Sequence, residues 1–367
     1  MFTAHDHALM SRAIALAEKG RAITSPNPFV GCVIVNGGRI VGEGFTQAGG
    51  RPHAEAVALE QAGERARGGT AYVTLEPCSE RPNMRGSACA NLLVEAGVAR
   101  VIAAIGDPNP HIDGRGVAHL NNAGIAVQTG LMEAVVRVQL RTFLARVTRG
   151  RPFVTTKIAA SLDGKTGLLD GQSQWITGPA ARRDAHRMRS EACAMLTGIG
   201  TVKQDNPQLT VRDVPCERQP WRVLIDHHLD VPEDARILEG GKVLVATLDA
   251  NLPRAEALRA RGVEVAAVPV DAASGKLDLA ALMRLLAERG INQIMVETGS
   301  KLNASLLRAG LVDEIVAYFA PSLLGDSAQG MFALPALASL DAKMRLQITD
   351  TRRIGDDWRV TASIQNT

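Results

Sequence analysis

The strongest constraint on the fold of this chain is a trio of potential metal ligands, His53, Cys78 and Cys89, that stand far apart in the sequence. One imidazole and two thiolates make three zinc ligands, and a catalytic zinc keeps its fourth position for water. A structural zinc normally has a fourth protein ligand, and none is evident nearby. Any fold that uses this site has to bring the three segments to one point.

Glu55 gives the predicted metal site a catalytic role. It stands two residues after His53, so it can serve the water without binding the ion. The order His-x-Glu, Pro-Cys, Cys is the signature of zinc-dependent base deaminases. In such sites zinc lowers the pKa of its water to about 7, and the glutamate carries protons between water and the substrate ring.

The three ligands are expected at helix N-termini, where the positive end of a helix stabilises a thiolate. The apolar spacing indicates helices over 53–61 and 88–96 and a strand over 70–75. Pro77 suits the first turn of a further helix, which would begin beside Cys78.

Length and composition limit the functional classes. A chain of 367 residues with 46% hydrophobic residues is expected to form about two domains. A net charge of +3 and 3% aromatic residues disfavour a nucleic-acid partner, because single-strand binders stack bases on aromatic side chains along a basic groove. We expect no membrane contact, since neither a signal peptide nor a spanning apolar run is present. Five cysteines, two or more of them metal ligands, suit a reducing compartment and predict a cytoplasmic protein.

The chain is predicted to contain two α/β blocks, 1–148 (with a linker from about 106) and 149–367. Asn36-Gly37-Gly38 between apolar runs predicts a hairpin. Block one is further expected to contain helices 6–19 and 132–146 and a strand at 100–105. In block two the patterns predict strands 153–159, 192–197, 221–226, 242–247, 263–268, 292–297 and 313–319, and helices 179–190, 253–261, 278–289 and 300–309.

Two glycine elements in block two follow predicted strands, 196–201 and 296–300. Glycine and hydroxyl groups at a helix N-terminus bind anions, so both elements can be phosphate sites or simply tight turns. Neither matches the dinucleotide fingerprint Gly-x-Gly-x-x-Gly. The arginines of helix 179–190 likewise form either a solvated face or a grip for phosphate.

Motifs along nearly the whole chain resemble those of the bifunctional riboflavin-biosynthesis proteins, in which a pyrimidine deaminase is fused to a 5-amino-6-(5-phosphoribosylamino)uracil reductase. The matching segments are 25–31, 53–55, 74–79, 107–110, 161–165, 173–177, 196–202, 205–207, 209–212 and 297–299. The resemblance implies an α/β protein with an N-terminal cytidine-deaminase-like α/β/α sandwich and a C-terminal dihydrofolate-reductase-like α/β domain. It also implies one zinc ion per chain, NADPH, a homo-oligomer and a small pyrimidine ribosyl phosphate as substrate.

The resemblance also implies roles for particular residues. Zinc would be bound by His53, Cys78 and Cys89, and the catalytic groups would be Glu55, Lys157 and Asp205. Implied contacts of NADPH are Ala160, Trp175, Thr201, Asp205, Gly299, Ser300, Lys301, Leu302, Asn303, Ala304 and Ser305. The substrate would be held by Asn27, Ser173, Arg189, Leu209, Arg212 and Glu297. Guanidinium forks at positions 189 and 212 suit a phosphate dianion.

Two segments depart from the family pattern. Ten residues, 79–88, separate the two cysteines where the family usually has eight, and Phe45-Thr46 stands in place of an aromatic–His pair. Both departures are expected at the deaminase substrate rather than at the metal. A reductase with an impaired deaminase is therefore the main alternative. A deaminase of nucleic acid or free nucleosides with an inert second domain, and a structural zinc module joined to a binding domain, are further alternatives.

Overall fold

The computed structural model describes residues 1–80, 86–110 and 112–365, and the chain divides into two compact units, Met1–Arg151 and Pro152–Thr367. Each unit has hydrophobic clusters of its own around a β-sheet. Within the described ranges, no helix has the length and apolar character that a membrane crossing requires.

The first unit is a five-stranded sheet with strand order β2-β1-β3-β4-β5 and helices packed on it. Strands β3, β4 and β5 are parallel, whereas β1 is antiparallel to both β2 and β3. The helices are α1 (Ala4–Ala17), α2 (Ala54–Ala62), α3 (Cys89–Glu95), α4 (Arg115–Asn122), α5 (Glu133–Gln139) and α6 (Arg141–Arg149). The strands are β1 (Gly31–Asn36), β2 (Arg39–Phe45), β3 (Thr70–Leu75), β4 (Arg100–Ile105) and β5 (Ala126–Thr129).

The β1–β2 hairpin confirms the turn predicted at Asn36-Gly37-Gly38. Gly37 and Gly38 have φ of 55° and 74°, a left-handed conformation that glycine adopts without steric cost. Glycines of β2 also set the position of α2. A Cβ at Gly42 would lie 2.1 Å from the Ala58 carbonyl oxygen, and one at Gly44 would lie 2.2 Å from that of Ala54. The missing side chains therefore let α2 approach the sheet closely and fix the helix start that carries His53.

Two predictions for the first unit are wrong. Residues 76–80, the described part of the segment around Pro77, are irregular rather than helical. The Pro77 carbonyl instead packs against Gly116 of α4, where a Cβ would lie 1.9 Å from the carbonyl oxygen. The single helix predicted over 132–146 is divided into α5 and α6 at Leu140, a fully buried residue that closes α5 with φ −94° and ψ 11°. Helix α4 and strand β5 were not predicted.

The second unit is built on a nine-stranded sheet with the order β11-β10-β9-β8-β14-β6-β15-β18-β17. All neighbours are parallel except β18, which is antiparallel to β15 and β17. The helices are α7 (Pro179–Glu191), α8 (Ile199–Asp205), α9 (Pro253–Ala260), α10 (Leu279–Glu288) and α11 (Ser300–Arg308). The strands are β6 (Phe153–Ser161), β7 (Lys165–Gly167), β8 (Ala194–Gly198), β9 (Trp221–Ile225), β10 (Val243–Thr247), β11 (Glu264–Ala267), β12 (Val270–Asp271), β13 (Lys276–Leu277), β14 (Gln293–Val296), β15 (Glu314–Ala320), β16 (Gln329–Gly330), β17 (Leu346–Ile354) and β18 (Asp357–Ile364).

The strands and helices predicted between 153 and 309 are present, and β15 confirms the strand predicted at 313–319. Helix α8 and the β17–β18 hairpin were missed. Strands β8 and β14 are adjacent and parallel, so the helices that follow them, α8 and α11, begin side by side at one edge of the sheet. The Gly299 N–H donates to Thr201 Oγ1 at 3.2 Å across this edge. Ligands of open parallel sheets bind at such carboxyl ends of strands.

Candidate active sites

The predicted metal ligands meet at one point of the first unit. The donor atoms of His53, Cys78 and Cys89 all lie within 4.8 Å of one another. His53 occupies the N-cap position of α2 and Cys89 the first residue of α3, while Cys78 lies in the irregular segment after β3. His53 Nδ1 is 3.2 Å from Cys89 Sγ and 3.5 Å from Cys78 Sγ. Among the described residues, two helix N-termini rather than the three predicted therefore face the ligand cluster.

The ionisation of the two thiols fits a cation. A hydrogen bond from the Cys89 thiol outweighs burial and lowers the pKa of Cys78 to about 4. The same hydrogen bond and burial raise the pKa of Cys89 well above its ordinary value. The protein alone thus holds one negative charge on the pair, and a bound divalent cation is what would make both sulfurs thiolates. This donor set, with one imidazole, matches a three-ligand zinc site.

Glu55 lies in the first turn of α2, and only 4% of its surface is exposed. Burial raises the pKa of its carboxyl group to about 7, although the neighbouring His53 favours the charged form. A carboxyl group with a pKa near neutrality can both accept and return a proton, as a general acid–base catalyst must.

The other predicted features of the deaminase site are Asn27, Thr46 and the segment 79–88, and each has a different environment. The Asn27 amide donates to the Gly49 carbonyl oxygen at 3.3 Å. Thr46 is only 2% exposed and its hydroxyl accepts the Val30 N–H at 3.0 Å, so this side chain supports the framework and offers little surface to a ligand. Of the longer segment 79–88, residues 81–85 lie outside the described part of the chain.

A second site is a cavity of about 620 Å³ in the second unit, next to the starts of α8 and α11. Its lining brings together twelve of the predicted residues: Lys157, Ser173, Trp175, Arg189, Thr201, Asp205, Leu209, Arg212, Glu297, Gly299, Ser300 and Asn303. Five predicted cofactor contacts do not line it: Ala160, Lys301, Leu302, Ala304 and Ser305. Four of these five residues belong to α11, which turns only one face to the cavity, so helix periodicity explains why they do not line it. Ala160 is a residue of β6, and its side chain is fully buried in the core.

A buried ion cluster forms the floor of the cavity. Arg189 makes two hydrogen bonds to Glu297, Nε to Oε1 at 2.6 Å and Nη2 to Oε2 at 2.8 Å, and a third to the Thr210 carbonyl oxygen at 3.1 Å. Lys157 Nζ lies 3.8 Å from Glu297 Oε2. Burial opposes the charge of Glu297, but the two cations outweigh it and hold its pKa at about 2. The Arg189 fork is therefore engaged with a carboxylate of the protein rather than open towards phosphate.

The wall of the cavity is held by further polar contacts. Ser173 Oγ donates to Asp205 Oδ1 at 3.1 Å, and the Arg212 N–H donates to His186 Nδ1 at 3.0 Å. Burial, followed by the charges of Arg189 and Arg212, lowers the pKa of His186 to about 4, so its imidazole is neutral at pH 7. Leu209 has a left-handed backbone with φ 54°, and its side chain is buried in the core.

Among the residues of this cavity that sequence reasoning missed are two with basic side chains, His186 and Arg236. His186 stands three residues before Arg189 and so on the same face of α7, a spacing that could have identified it. Arg236 lies in a short turn between β9 and β10, where no sequence pattern marks it.

Comparisons with known proteins give a separate family match for each of the two units. Residues 3–105 match the family model described as the cytidine and deoxycytidylate deaminase zinc-binding region, and residues 152–360 match that of the RibD C-terminal domain. The riboflavin biosynthesis protein RibD of Escherichia coli is 43% identical, with 96% of this chain and 97% of that protein covered. RibD of Haemophilus influenzae is 42% identical, with 98% of each protein covered.

Solved structures of related proteins superpose on nearly the whole chain. Acinetobacter baumannii RibD superposes with a TM-score of 0.91 at 39% identity, covering 99% of both chains. The diaminohydroxyphosphoribosylaminopyrimidine deaminase/5-amino-6-(5-phosphoribosylamino)uracil reductase of Thermotoga maritima gives 0.85 at 32% identity, covering 98% of this chain and 99% of that one. These folds and the two domain matches confirm the predicted pair of a cytidine-deaminase-like and a dihydrofolate-reductase-like domain. The chain therefore belongs to the RibD family and is a bifunctional deaminase and reductase of riboflavin biosynthesis.

Proposed function

We propose that block 1–148 deaminates 2,5-diamino-6-ribosylamino-4(3H)-pyrimidinone 5′-phosphate, and that block 149–367 uses NADPH to reduce the ribosyl group of the product to ribityl. The name of the Thermotoga maritima relative supports both substrates. The observation that carries the proposal is a zinc-type ligand trio beside buried Glu55 in one unit and a cation-rich cavity in the other.

In the proposed deaminase, His53, Cys78 and Cys89 would hold zinc. A bound zinc ion supplies Lewis-acid activation of water. Glu55 Oε would accept a proton from the attacking water, whose oxygen bonds to the ring carbon, and pass that proton to a ring nitrogen of the pyrimidine. It would then help protonate the exocyclic amine, which leaves as ammonia when its bond to the ring carbon breaks. Asn27 contacts the substrate. Burial of Glu55 supports this role because it keeps the carboxyl pKa within reach of neutral pH.

In the proposed reductase, Gly299 and Ser300 receive a phosphate of NADPH at the start of α11, with Trp175, Thr201 and Asn303 as further contacts. Bound NADPH supplies the hydride. Lys157 and Asp205 orient the sugar and supply a proton. Ala160, Lys301, Leu302, Ala304 and Ser305, which do not line the cavity, would act by supporting the helix and strand that do.

Incubation of the protein with the diaminopyrimidine substrate, with ammonia and NADPH followed separately, tests the whole proposal. Ammonia release and a later loss of NADPH absorbance are expected. Oxidation of NADPH with supplied deaminated substrate, but no ammonia release, would favour the reductase-only alternative. Two observations favour that alternative: the longer 79–88 segment and the buried Thr46.

Zinc content tests the ligand trio. The purified protein is expected to carry about one zinc ion per chain, as one three-ligand site requires. Cys89→Ser should carry much less zinc, because a serine hydroxyl is a far weaker zinc ligand than a thiolate. Cys32→Ala removes another buried thiol of the same unit and is the matched control. Normal zinc in Cys89→Ser, measured by metal analysis, would contradict the assignment.

Gly299→Asp tests the cofactor site. Gly299 is the N-cap of α11 with φ −74°, and a Cβ there would meet nothing within 4 Å, so aspartate fits. A capping carboxylate stabilises a helix by about 1 kcal/mol but repels a phosphate. We expect an unchanged or higher Tm for the variant alone. The Tm increase that saturating NADPH gives the wild type, worth about 2.7 kcal/mol at a hundredfold excess over Kd, should be lost.

Gly299→Ser is the uncharged control for this experiment, because it caps the helix without adding a negative charge. It should keep the NADPH-dependent increase in Tm by differential scanning fluorimetry. An aspartate variant that responds to NADPH as strongly as the serine variant would remove Gly299 from the cofactor site.

We also propose a cytoplasmic homo-oligomer. Edge strand β17 and its neighbour β18 expose Leu346, Ile348 and Trp358 at 45%, 64% and 50%, and an apolar sheet edge of this kind favours pairing with another chain. Light scattering after gel filtration measures the assembly state. The five cysteines form no disulfide with one another, which suits a reducing compartment.

A further inference from the structure

The basic side chains that line the second-unit cavity fall into three groups. Arg189 and Lys157 share the carboxylate of Glu297, so a charge of the protein already compensates them in part. Arg212 and Arg236 also line the cavity but do not pair with Glu297. Arg182 lines the cavity too, but its Nη1 donates to the Thr177 carbonyl oxygen at 2.7 Å and its guanidinium lies 4.6 Å from the centroid of the Trp175 ring. Arg212 and Arg236 are therefore the arginines whose role remains to be explained.

Arg212 is bound only to neutral oxygens through its guanidinium. Its Nη1 donates to Thr210 Oγ1 at 3.0 Å and to Gln208 Oε1 at 3.3 Å. The next residue, Asp213, carries the nearest carboxylate in the sequence, and its Oδ2 lies 4.0 Å from His186 Nε2. The remaining donors of Arg212 are thus directed to no carboxylate among the residues that the structure describes.

Arg236 is exposed, and its guanidinium makes neither a hydrogen bond nor an ion pair with any part of the chain that the structure describes. Its backbone, in contrast, is fixed. The Arg236 N–H donates to Asn206 Oδ1 at 2.8 Å, and Asn206 closes α8 in a left-handed conformation directly after Asp205. Arg236 is therefore tied to the same segment, 205–212, that carries Asp205, Leu209 and Arg212.

The positive charges of Arg212 and Arg236 act on each other. Burial lowers the pKa of Arg212, and the charges of Arg189 and Arg236 lower it further, against the opposing effect of Asp213 and Glu297. Like charges held around one cavity repel each other, so an anionic ligand between them would be stabilised by both. The arrangement favours a dianion, since each guanidinium can donate two parallel hydrogen bonds to phosphate oxygens.

We propose that Arg236, together with Arg212, binds the phosphate group of the ribosyl phosphate substrate, and that Arg189 acts mainly by holding Glu297 in place. This inference rests on the proposed reductase function and adds a substrate-binding residue to it. It accounts for why a side chain anchored so firmly through its backbone carries a guanidinium group without a partner in the protein.

Calorimetric titration of the full-length protein with ribose 5-phosphate, and separately with ribose, tests the inference without turnover. The wild type should bind the phosphate ester more tightly than the free sugar. Arg236→Gln should weaken binding of the ester by about 10-fold to 100-fold, as expected for a lost charged hydrogen-bonding group, and leave binding of ribose unchanged. The affinity of Arg236→Lys for ribose 5-phosphate should lie between those of the wild type and Arg236→Gln. Arg308→Gln removes a positive charge of the same unit outside the cavity and should behave like the wild type.

Equal affinity of the wild type and Arg236→Gln for ribose 5-phosphate would overturn the inference even if the enzyme reduces its substrate normally. Steady-state reduction of the deaminated substrate separates this result from failure of the proposed function. The expected effect of Arg236→Gln is a KM raised by the same factor with kcat nearly unchanged, since the phosphate is remote from the reacting carbon. A wild type that reduces no ribosylaminopyrimidine at all would reject the reductase assignment itself, and the inference with it.

Discussion

Glu55→Gln is expected to lower the rate of deamination by at least about 10²-fold, the usual contribution of a positioned general acid–base group. The substitution keeps the size and shape of the buried side chain but removes its ability to take up and return a proton. Ammonia release from the diaminopyrimidine substrate is the measurement. Reduction of supplied deaminated substrate should be nearly unaffected, because Glu55 belongs to the other unit.

Glu60→Gln is the matched control for this prediction. Glu60 is on the same helix, α2, but is exposed, so the variant loses the same charge without touching the site. Its rate of deamination should equal that of the wild type. Zinc content should be retained in both variants, because neither position is a proposed ligand. Rapid ammonia release by Glu55→Gln would show that another group moves the proton.

Arg189→Ala is expected to destabilise the second unit by about 3–5 kcal/mol, the range for breaking a buried ion pair on one side. Arg189 and Glu297 have side chains only 12% and 14% exposed. Removing the guanidinium leaves the Glu297 carboxylate buried with the Lys157 ammonium 3.8 Å away, and it also removes the donor to the Thr210 carbonyl oxygen. Urea unfolding followed by circular dichroism measures the loss, and ammonia release by the first unit should persist.

A double variant distinguishes a buried charge from a lost substrate contact. Arg189→Ala with Glu297→Gln should recover part of the stability, because the uncompensated negative charge is gone, yet it should not recover reduction. Arg183→Ala, an exposed arginine of the same helix, should change the free energy of unfolding by no more than about 0.5 kcal/mol. A destabilisation that is equal in the single and double variants would argue against the ion-pair explanation.

Much of the fold could be predicted from the sequence because the relevant signals are local. Apolar spacing located α2, α3 and the parallel strands of the second unit, and Asn36-Gly37-Gly38 located the first hairpin. The three metal ligands were also predictable, because the order His-x-Glu, Pro-Cys, Cys is typical of zinc-dependent deaminases. The predicted helix at Pro77 failed because α4, distant in sequence, packs against that segment and holds it in an irregular conformation.

Residue types and their order in the sequence by themselves determined the two α/β blocks, the ligand trio and Glu55 beside it. Only the tertiary structure decided which charges meet. Arg189 was predicted to grip phosphate, and its type and helix position fit that role, but Glu297, 108 residues away, occupies its fork. Arg236 carries no sequence signal and enters the cavity only because β9 and β10 bring its turn next to α8. The physical reason is that hydrophobic periodicity acts between near neighbours in the chain, whereas electrostatic pairing depends on distances that the completed fold sets.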